Sequence, residues 1–144
     1  MTVRPVHPLL RQLYAYWDER RAGRTMPARA DIDPVDFAYA LGNVILVDVL
    51  RAPMRFRIRL HGTTLAERAG YELTGKMLDE LPITDFRTLA TQSFTTIATT
   101  GRPFHSSRDR VLDGHHRAYE TLMLPLSEDG TAVNMLLVAL FYGR

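Results

Sequence analysis

The sequence of 144 residues contains no cysteine. Disulfide bonds, thiolate nucleophiles and cysteine-bound metals or clusters are therefore excluded. The chain must be stabilised by a hydrophobic core, and a single domain of this length buries about 68–70% of its extended surface on folding. A chain without cysteine also fits a reducing compartment, so we expect a cytoplasmic protein.

Long apolar runs and lysine are scarce as well. No apolar run approaches the roughly 20 residues that a membrane-spanning helix needs, and the first residues carry charges through their apolar part, unlike a signal peptide. All but one of the 18 basic residues are arginine, and the exception is Lys76. Because the 16 acidic residues are interleaved with the arginines, there is no basic stripe. We predict no nucleic-acid partner and no membrane partner.

The N-terminal part has the apolar spacing of an amphipathic helix over Pro8–Arg21,. Three large side chains on its apolar face are candidates for an interface: Leu13, Tyr16 and Trp17. Such a face cannot remain in water, so the helix either packs on its own domain or contributes to a dimer contact. We divide the chain into an N-terminal helix and linker at residues 1–32 and a folded domain at residues 33–144.

Five later segments have the composition of β-strands. They are 43–50, 54–60, 104–112, 117–126 and 132–142,. Asp113-Gly114 and Asp129-Gly130 predict hairpin turns between the last three. Short connections favour antiparallel pairing, so the sequence predicts an α+β fold with one antiparallel sheet of five strands.

Helical segments lie between the second and third of these strands. Thr64 and Glu67 have the spacing of a capping box, which predicts a short helix that ends at Gly70. A longer helix is expected from Thr84-Asp85 to about Thr99. Another short helix, with Val35 on its apolar face, is expected before the first strand. The predicted architecture is therefore a five-stranded sheet with short helices and one longer helix on one face, plus the N-terminal helix.

The strand over 117–126 is apolar on both faces, so both faces need cover. Leu122 and Leu124 fall on one face, and Thr121 and Met123 on the other. Helices between the strands can cover one face. Either the N-terminal helix or a second subunit must cover the other.

Two regions resemble PAS domains. Residues 66–81, AERAGYELTGKMLDEL, resemble the PAS segment in which a helix ends at Ala-Gly-Tyr and continues through Gly-Lys to a Leu-rich turn. The order of Asp113-Gly114, Pro125 and Asp129-Gly130 before a final apolar strand resembles the three-stranded half of that fold. The resemblance covers roughly Leu41 to Phe141.

A further signature resembles small bacterial proteins that consist of little more than one PAS domain with an N-terminal helical extension. It comprises Tyr16-Trp17, Pro27, Asp33-Pro34 and Leu60-His61-Gly62-Thr63. The resemblance implies a sensory or signalling module that holds a small molecule, or a dimerisation and docking module. It also implies an unidentified signalling protein as partner and a homodimer as the expected assembly.

The resemblance does not identify a cofactor, but two cofactors that PAS domains commonly bind can be compared with the sequence. Covalent flavin photochemistry needs a cysteine, which is absent. Haem-binding PAS domains typically take an axial histidine from the longer helix, and residues 85–100 contain none. Haem is therefore disfavoured, although His105, His115 or His116 could act as a ligand in an unusual geometry.

By PAS register, six residues are candidates to line a cavity between helix and sheet: Phe86, Phe94, Ile97, Tyr119, Thr121 and Met123. The alternative is that they form a filled core in which the hydroxyls are satisfied internally. Leu122 and Leu124 on the opposite face join the N-terminal aromatic residues as candidates for an interface.

No metal or catalytic site is predicted. Adjacent His115 and His116 would face opposite ways on a strand and could not easily share an ion there, whereas in a turn they could. Ser106 and Ser107 lack a recognisable triad arrangement. Three functions follow in order of preference: a sensory module that signals through protein contacts, a ligand-free adaptor that dimerises, and a small enzyme that uses the cavity.

Overall fold

The computed structural model describes residues 3–82, 84–112 and 114–142. Within these ranges the side chains of six residues are not described: Thr84, Arg110, Leu112, His115, His116 and Arg117. The predicted turn residue Asp113, the predicted cap Thr84 and the question of a metal at His115 and His116 therefore fall outside the described part of the chain.

One antiparallel sheet organises the molecule. Its strands are β1 (Val44–Leu50), β2 (Arg55–His61), β3 (Phe104–Leu112), β4 (His115–Leu126) and β5 (Met135–Tyr142). They lie in the order β2-β1-β5-β4-β3, and every neighbouring pair is antiparallel. The predicted α+β fold with five antiparallel strands is confirmed.

Three helices accompany the sheet: α1 (Pro8–Arg21), α2 (Thr63–Ala69) and α3 (Thr84–Thr100). Short 3₁₀ turns occupy Arg29–Asp31, Pro34–Phe37, Leu41–Asn43 and Leu78–Glu80. The prediction of one short helix before β1 is wrong, because two separate 3₁₀ turns, Pro34–Phe37 and Leu41–Asn43, occupy this segment. Val35 accordingly does not join the core and is 78% exposed.

Helix α1 covers the outer face of the sheet. Its Leu10, Leu13 and Trp17 are buried, as are Leu122 and Leu124 on β4. The Trp17 indole N–H donates a hydrogen bond of 2.9 Å to the carbonyl of Pro125. The sequence left open whether the N-terminal helix or a second subunit covers this face of the sheet. The structure shows that the chain's own helix α1 covers it.

The start of α2 differs from the predicted capping box. The helix begins at Thr63 after Gly62, with no side-chain hydrogen bond at its cap. Gly62 instead packs on the turn before β1, where a Cβ at Gly62 would overlap the carbonyl oxygen of Gly42. The Thr64 hydroxyl also lies against Gly42. Close contact between two backbones, rather than capping, therefore determines how this helix begins.

Candidate functional site

Helix α3 supplies the roof of a cavity on the inner face of the sheet. Five of its residues at helical spacing face the sheet and line this cavity: Phe86, Leu89, Ala90, Ser93 and Phe94. The opposite side of the helix, with Thr91 and Thr95, is exposed. Threonine lowers intrinsic helix propensity, so packing of the apolar stripe holds this helix in place.

The floor of the cavity is formed by the inner face of β3, β4 and β5. Cross-strand pairing arranges nine lining residues in three rows: Phe104, Met123 and Val138; Ser106, Thr121 and Leu140; Arg108, Tyr119 and Tyr142. Ile45 of β1 completes the lining. Because side chains alternate along a strand, the intervening Leu122 and Leu124 of β4 face the other side of the sheet, where α1 lies.

The cavity has a volume of about 100 Å³ and a mostly apolar lining. Sites for drug-sized ligands occupy about 300–1,000 Å³, so this cavity suits a smaller molecule. Five of the six residues expected at a cavity line it: Phe86, Phe94, Tyr119, Thr121 and Met123. Ile97 is 1% exposed in the core and is not among the lining residues.

Sequence reasoning missed the contribution of β3, which places Ser106 and Arg108 at the cavity. The alternation of Phe104, Ser106 and Arg108 on one face was visible in the sequence. The register of β3 against β4 was not, and this register sets Ser106 opposite Thr121 and Arg108 opposite Tyr119. The polar part of the lining could therefore not be assembled from the strand pattern alone.

The Thr121 hydroxyl lies at the centre of the floor. Thr121 is 3% exposed, and its hydroxyl makes no hydrogen bond within the described part of the chain. No polar side-chain atom among the described residues is both sealed from solvent and without a hydrogen-bond partner. The Thr121 hydroxyl is therefore reached from the cavity, where a ligand or water can bind it.

The remaining interface candidates lie on the opposite side of the sheet. Leu13, Trp17, Leu122 and Leu124 are buried within one chain between α1 and β4. Tyr16 is half-buried, and its hydroxyl donates to the carboxylate of Asp36 at 2.8 Å.

A cluster around Glu120 fixes the segment before α1 to this outer face. Its carboxylate accepts the backbone N–H groups of Val6 at 2.7 Å and His7 at 2.9 Å, and pairs with Nε2 of His105 at 2.6 Å. Burial alone would raise the pKa of Glu120, but these hydrogen bonds outweigh it and lower the pKa,. His105 is therefore engaged on the face opposite the cavity.

His61 occupies a buried position at the junction of β2 and α2. Its Nδ1 accepts a hydrogen bond of 3.2 Å from the backbone N–H of Leu73. Burial lowers the pKa of His61, and the carboxylate of Glu72, 3.9 Å from Nδ1, partly opposes that shift. The neutral imidazole thus holds the loop after α2 against the end of β2.

Among the described side chains, no three His, Cys, Asp or Glu residues are grouped to hold a metal ion. Within the same part of the chain, no helix combines the length and the apolar character needed to cross a membrane. The described residues that line the cavity include no histidine, and the chain has no cysteine. The lining therefore offers neither the axial histidine that is typical of haem-binding PAS domains nor a thiol for a covalent flavin bond.

The topology and the cavity define a class of α+β domains in which one helix closes a small cavity over a five-stranded antiparallel sheet. A family model described as a PAS domain matches residues 6–140, and the chain belongs to the PAS domain family. PAS domains are generally sensory modules. The matched range includes α1.

Solved structures agree with this assignment. The PAS domain of BvgS from Bordetella pertussis is similar, with a TM-score of 0.55 and 17% identity over 78% of this chain and 88% of that one. The LOV protein of Rhodobacter sphaeroides has a TM-score of 0.52 and 16% identity over 78% and 70% of the two chains. At these identities the likeness shows the fold. No curated protein matches the sequence.

Proposed function

We propose that the protein is a sensory module in which the cavity between α3 and the sheet binds a small molecule and the bound state is passed to a protein partner. One observation carries this proposal. The buried Thr121 hydroxyl faces a mostly apolar cavity without a hydrogen-bond partner in the described part of the chain. Apolar cavities with a few polar groups are typical of small-molecule sites.

The enzyme alternative has little support in the lining. No Asp, Glu or His is among the described residues at the cavity, so this lining lacks the carboxylate or histidine pair that most often serves for proton transfer. We infer that the cavity binds and does not catalyse.

A homodimer remains part of the proposal, with its contact on the outward side of α1. The large apolar residues of α1 and β4 are already covered within one chain. A dimer contact through this helix would therefore use exposed and half-buried residues such as Tyr16. In this arrangement the helix links the outer face of the sheet to the partner.

The test is native mass spectrometry of the freshly purified protein, compared with its mass after denaturation. Mass that is released on denaturation supports the sensory module, and its value begins to identify the ligand. A dimer without added mass supports the adaptor instead. A monomer without added mass counts against both the ligand and the dimer.

Two phenylalanine variants locate the bound molecule. Ser93→Phe fills the cavity from its roof, whereas Thr95→Phe adds the same side chain to the exposed side of α3. We expect Ser93→Phe to lose most of the added mass and Thr95→Phe to keep it. Equal added mass in both folded variants would place the ligand elsewhere.

A further inference from the structure

The polar groups of the cavity are concentrated on one part of its floor. Ser106 and Thr121 are direct cross-strand partners, and Arg108 follows Ser106 on the same face of β3. Two residues along a strand span about 6.6–6.8 Å, a distance that the arginine side chain bridges. The two hydroxyls and the guanidinium can therefore address one group of a ligand.

These hydroxyls are available to a ligand. Thr121 is 3% exposed, and Ser93 and Ser106 are half-buried. None of the three side chains makes a hydrogen bond within the described part of the chain. A buried hydroxyl left in this state costs free energy unless water or a ligand binds it.

Arg108 is exposed where the cavity meets the surface. It lines both the apolar cavity and an adjoining polar groove. Six other arginines are held in ion pairs: Arg20, Arg21, Arg24, Arg55, Arg57 and Arg59. Arg108 forms no ion pair and no side-chain hydrogen bond in the described part of the chain.

Two carboxylates, Asp85 and Asp109, share the groove with Arg108. Each has an interaction of its own, and neither pairs with Arg108. The N–H donors of the Arg108 guanidinium are therefore available to a ligand. One arginine supplies one positive charge in a planar, two-pronged geometry that matches a carboxylate.

From this arrangement we propose that the cavity takes a small carboxylate with an apolar body. The body lies between α3 and the sheet, and the carboxylate binds Arg108 with Thr121 and Ser106 as further donors. This inference rests on the proposed function, because it names the ligand class of the same cavity. A phosphate group, with about two negative charges, is less well matched by a single arginine.

The test compares hexanoate with 1-hexanol by isothermal titration calorimetry at neutral pH. The two probes share a chain length and differ in the charged head group. We expect hexanoate to bind at least about tenfold more tightly than hexanol, because hydrogen bonds between charged groups are stronger than those of a neutral hydroxyl. Arg108→Gln should abolish this preference, whereas Arg102→Gln removes the same charge from an exposed position away from the cavity and should keep it.

Thr121→Val tests whether the hydroxyl on the floor of the cavity binds the ligand, because it replaces this hydroxyl with a methyl group of similar size. We expect a several-fold weaker affinity for hexanoate in this variant. Circular dichroism confirms that each variant is folded before titration.

The outcomes separate the two proposals. Equal affinity for hexanoate and hexanol in the unmodified protein, or a preference that survives Arg108→Gln, overturns the carboxylate assignment and leaves the cavity as a ligand site. Failure of both probes to bind overturns this inference and also counts against the cavity as a site for small apolar ligands.

Discussion

His61 shows how one buried side chain couples local structure to pH. Its neutral Nδ1 accepts the Leu73 N–H, and protonation would replace that acceptor with a donor,. Burial lowers the pKa of His61 below its ordinary value of 6.5. The folded state therefore binds fewer protons than the unfolded state, and this group contributes stability above pH 6.5 that is lost as the pH falls through the folded-state pKa,.

We predict that the free energy of unfolding falls between about pH 7.5 and about pH 5.5, measured by urea denaturation. The matched variant is His61→Asn, whose side-chain oxygen can take the place of Nδ1 as acceptor but does not titrate. Its stability should change less over the same range. Comparison of the two proteins cancels the contributions of all other titrating groups to the pH dependence. An equal pH dependence in both would contradict the assignment.

At the scale of elements, the packing of α2 depends on two glycines for different reasons. Gly62 has negative φ but no room for a Cβ beside the backbone of Gly42. Gly70 has open space around it but a φ of +84°, which other residues rarely adopt,. The first glycine is required by contact between elements, and the second by the end of the helix itself.

We predict that Gly62→Ala costs about 3 kcal/mol of unfolding free energy or more, because backbone atoms cannot move aside as a flexible side chain can. Gly70→Ala, the matched change, should cost about 1–2 kcal/mol through its left-handed backbone. Urea denaturation of both variants checks the order. If Gly62→Ala were the more stable of the two, the close approach to Gly42 would not be a constraint.

For the whole molecule, the sheet has apolar layers on both faces. Phe94 and Ile97 of α3 are buried on the inner side, and Trp17 of α1 packs with Leu122 and Leu124 on the outer side. A sheet with two apolar faces is stable only when both are covered. We therefore expect residues 1–32 and residues 33–144 to fold as one unit.

We predict that a chain restricted to residues 33–144 exposes the outer leucines and either loses cooperative unfolding or associates through that face. Sedimentation, together with binding of a dye specific for exposed apolar surface, measures both effects. The full chain with Val35→Asp is the control, because this change adds a charge at an exposed site. A monomeric shortened chain with full stability would show that α1 is dispensable for folding.

Much of the architecture follows from local patterns. Helix α1 has the bounds that its spacing predicts, since proline at the first turn and an apolar stripe are both local signals,. The alternation in β4 correctly separated Thr121 and Met123 from Leu122 and Leu124. The predicted capping box failed because Gly62, outside the motif, is held by a contact with a turn about 20 residues earlier,.

The sequence by itself determined the number and type of the main elements and the family, because these depend on periodicity and on the order of short motifs. Only the tertiary structure decided which layer covers the outer leucines and which residues meet at the cavity. The physical reason is that strand register and backbone contact join residues far apart in the chain. The Asp113-Gly114 signal predicts that β3 pairs with β4, but Arg108 lies beside Tyr119 only through the register of that pair, which the alternation within each strand does not specify.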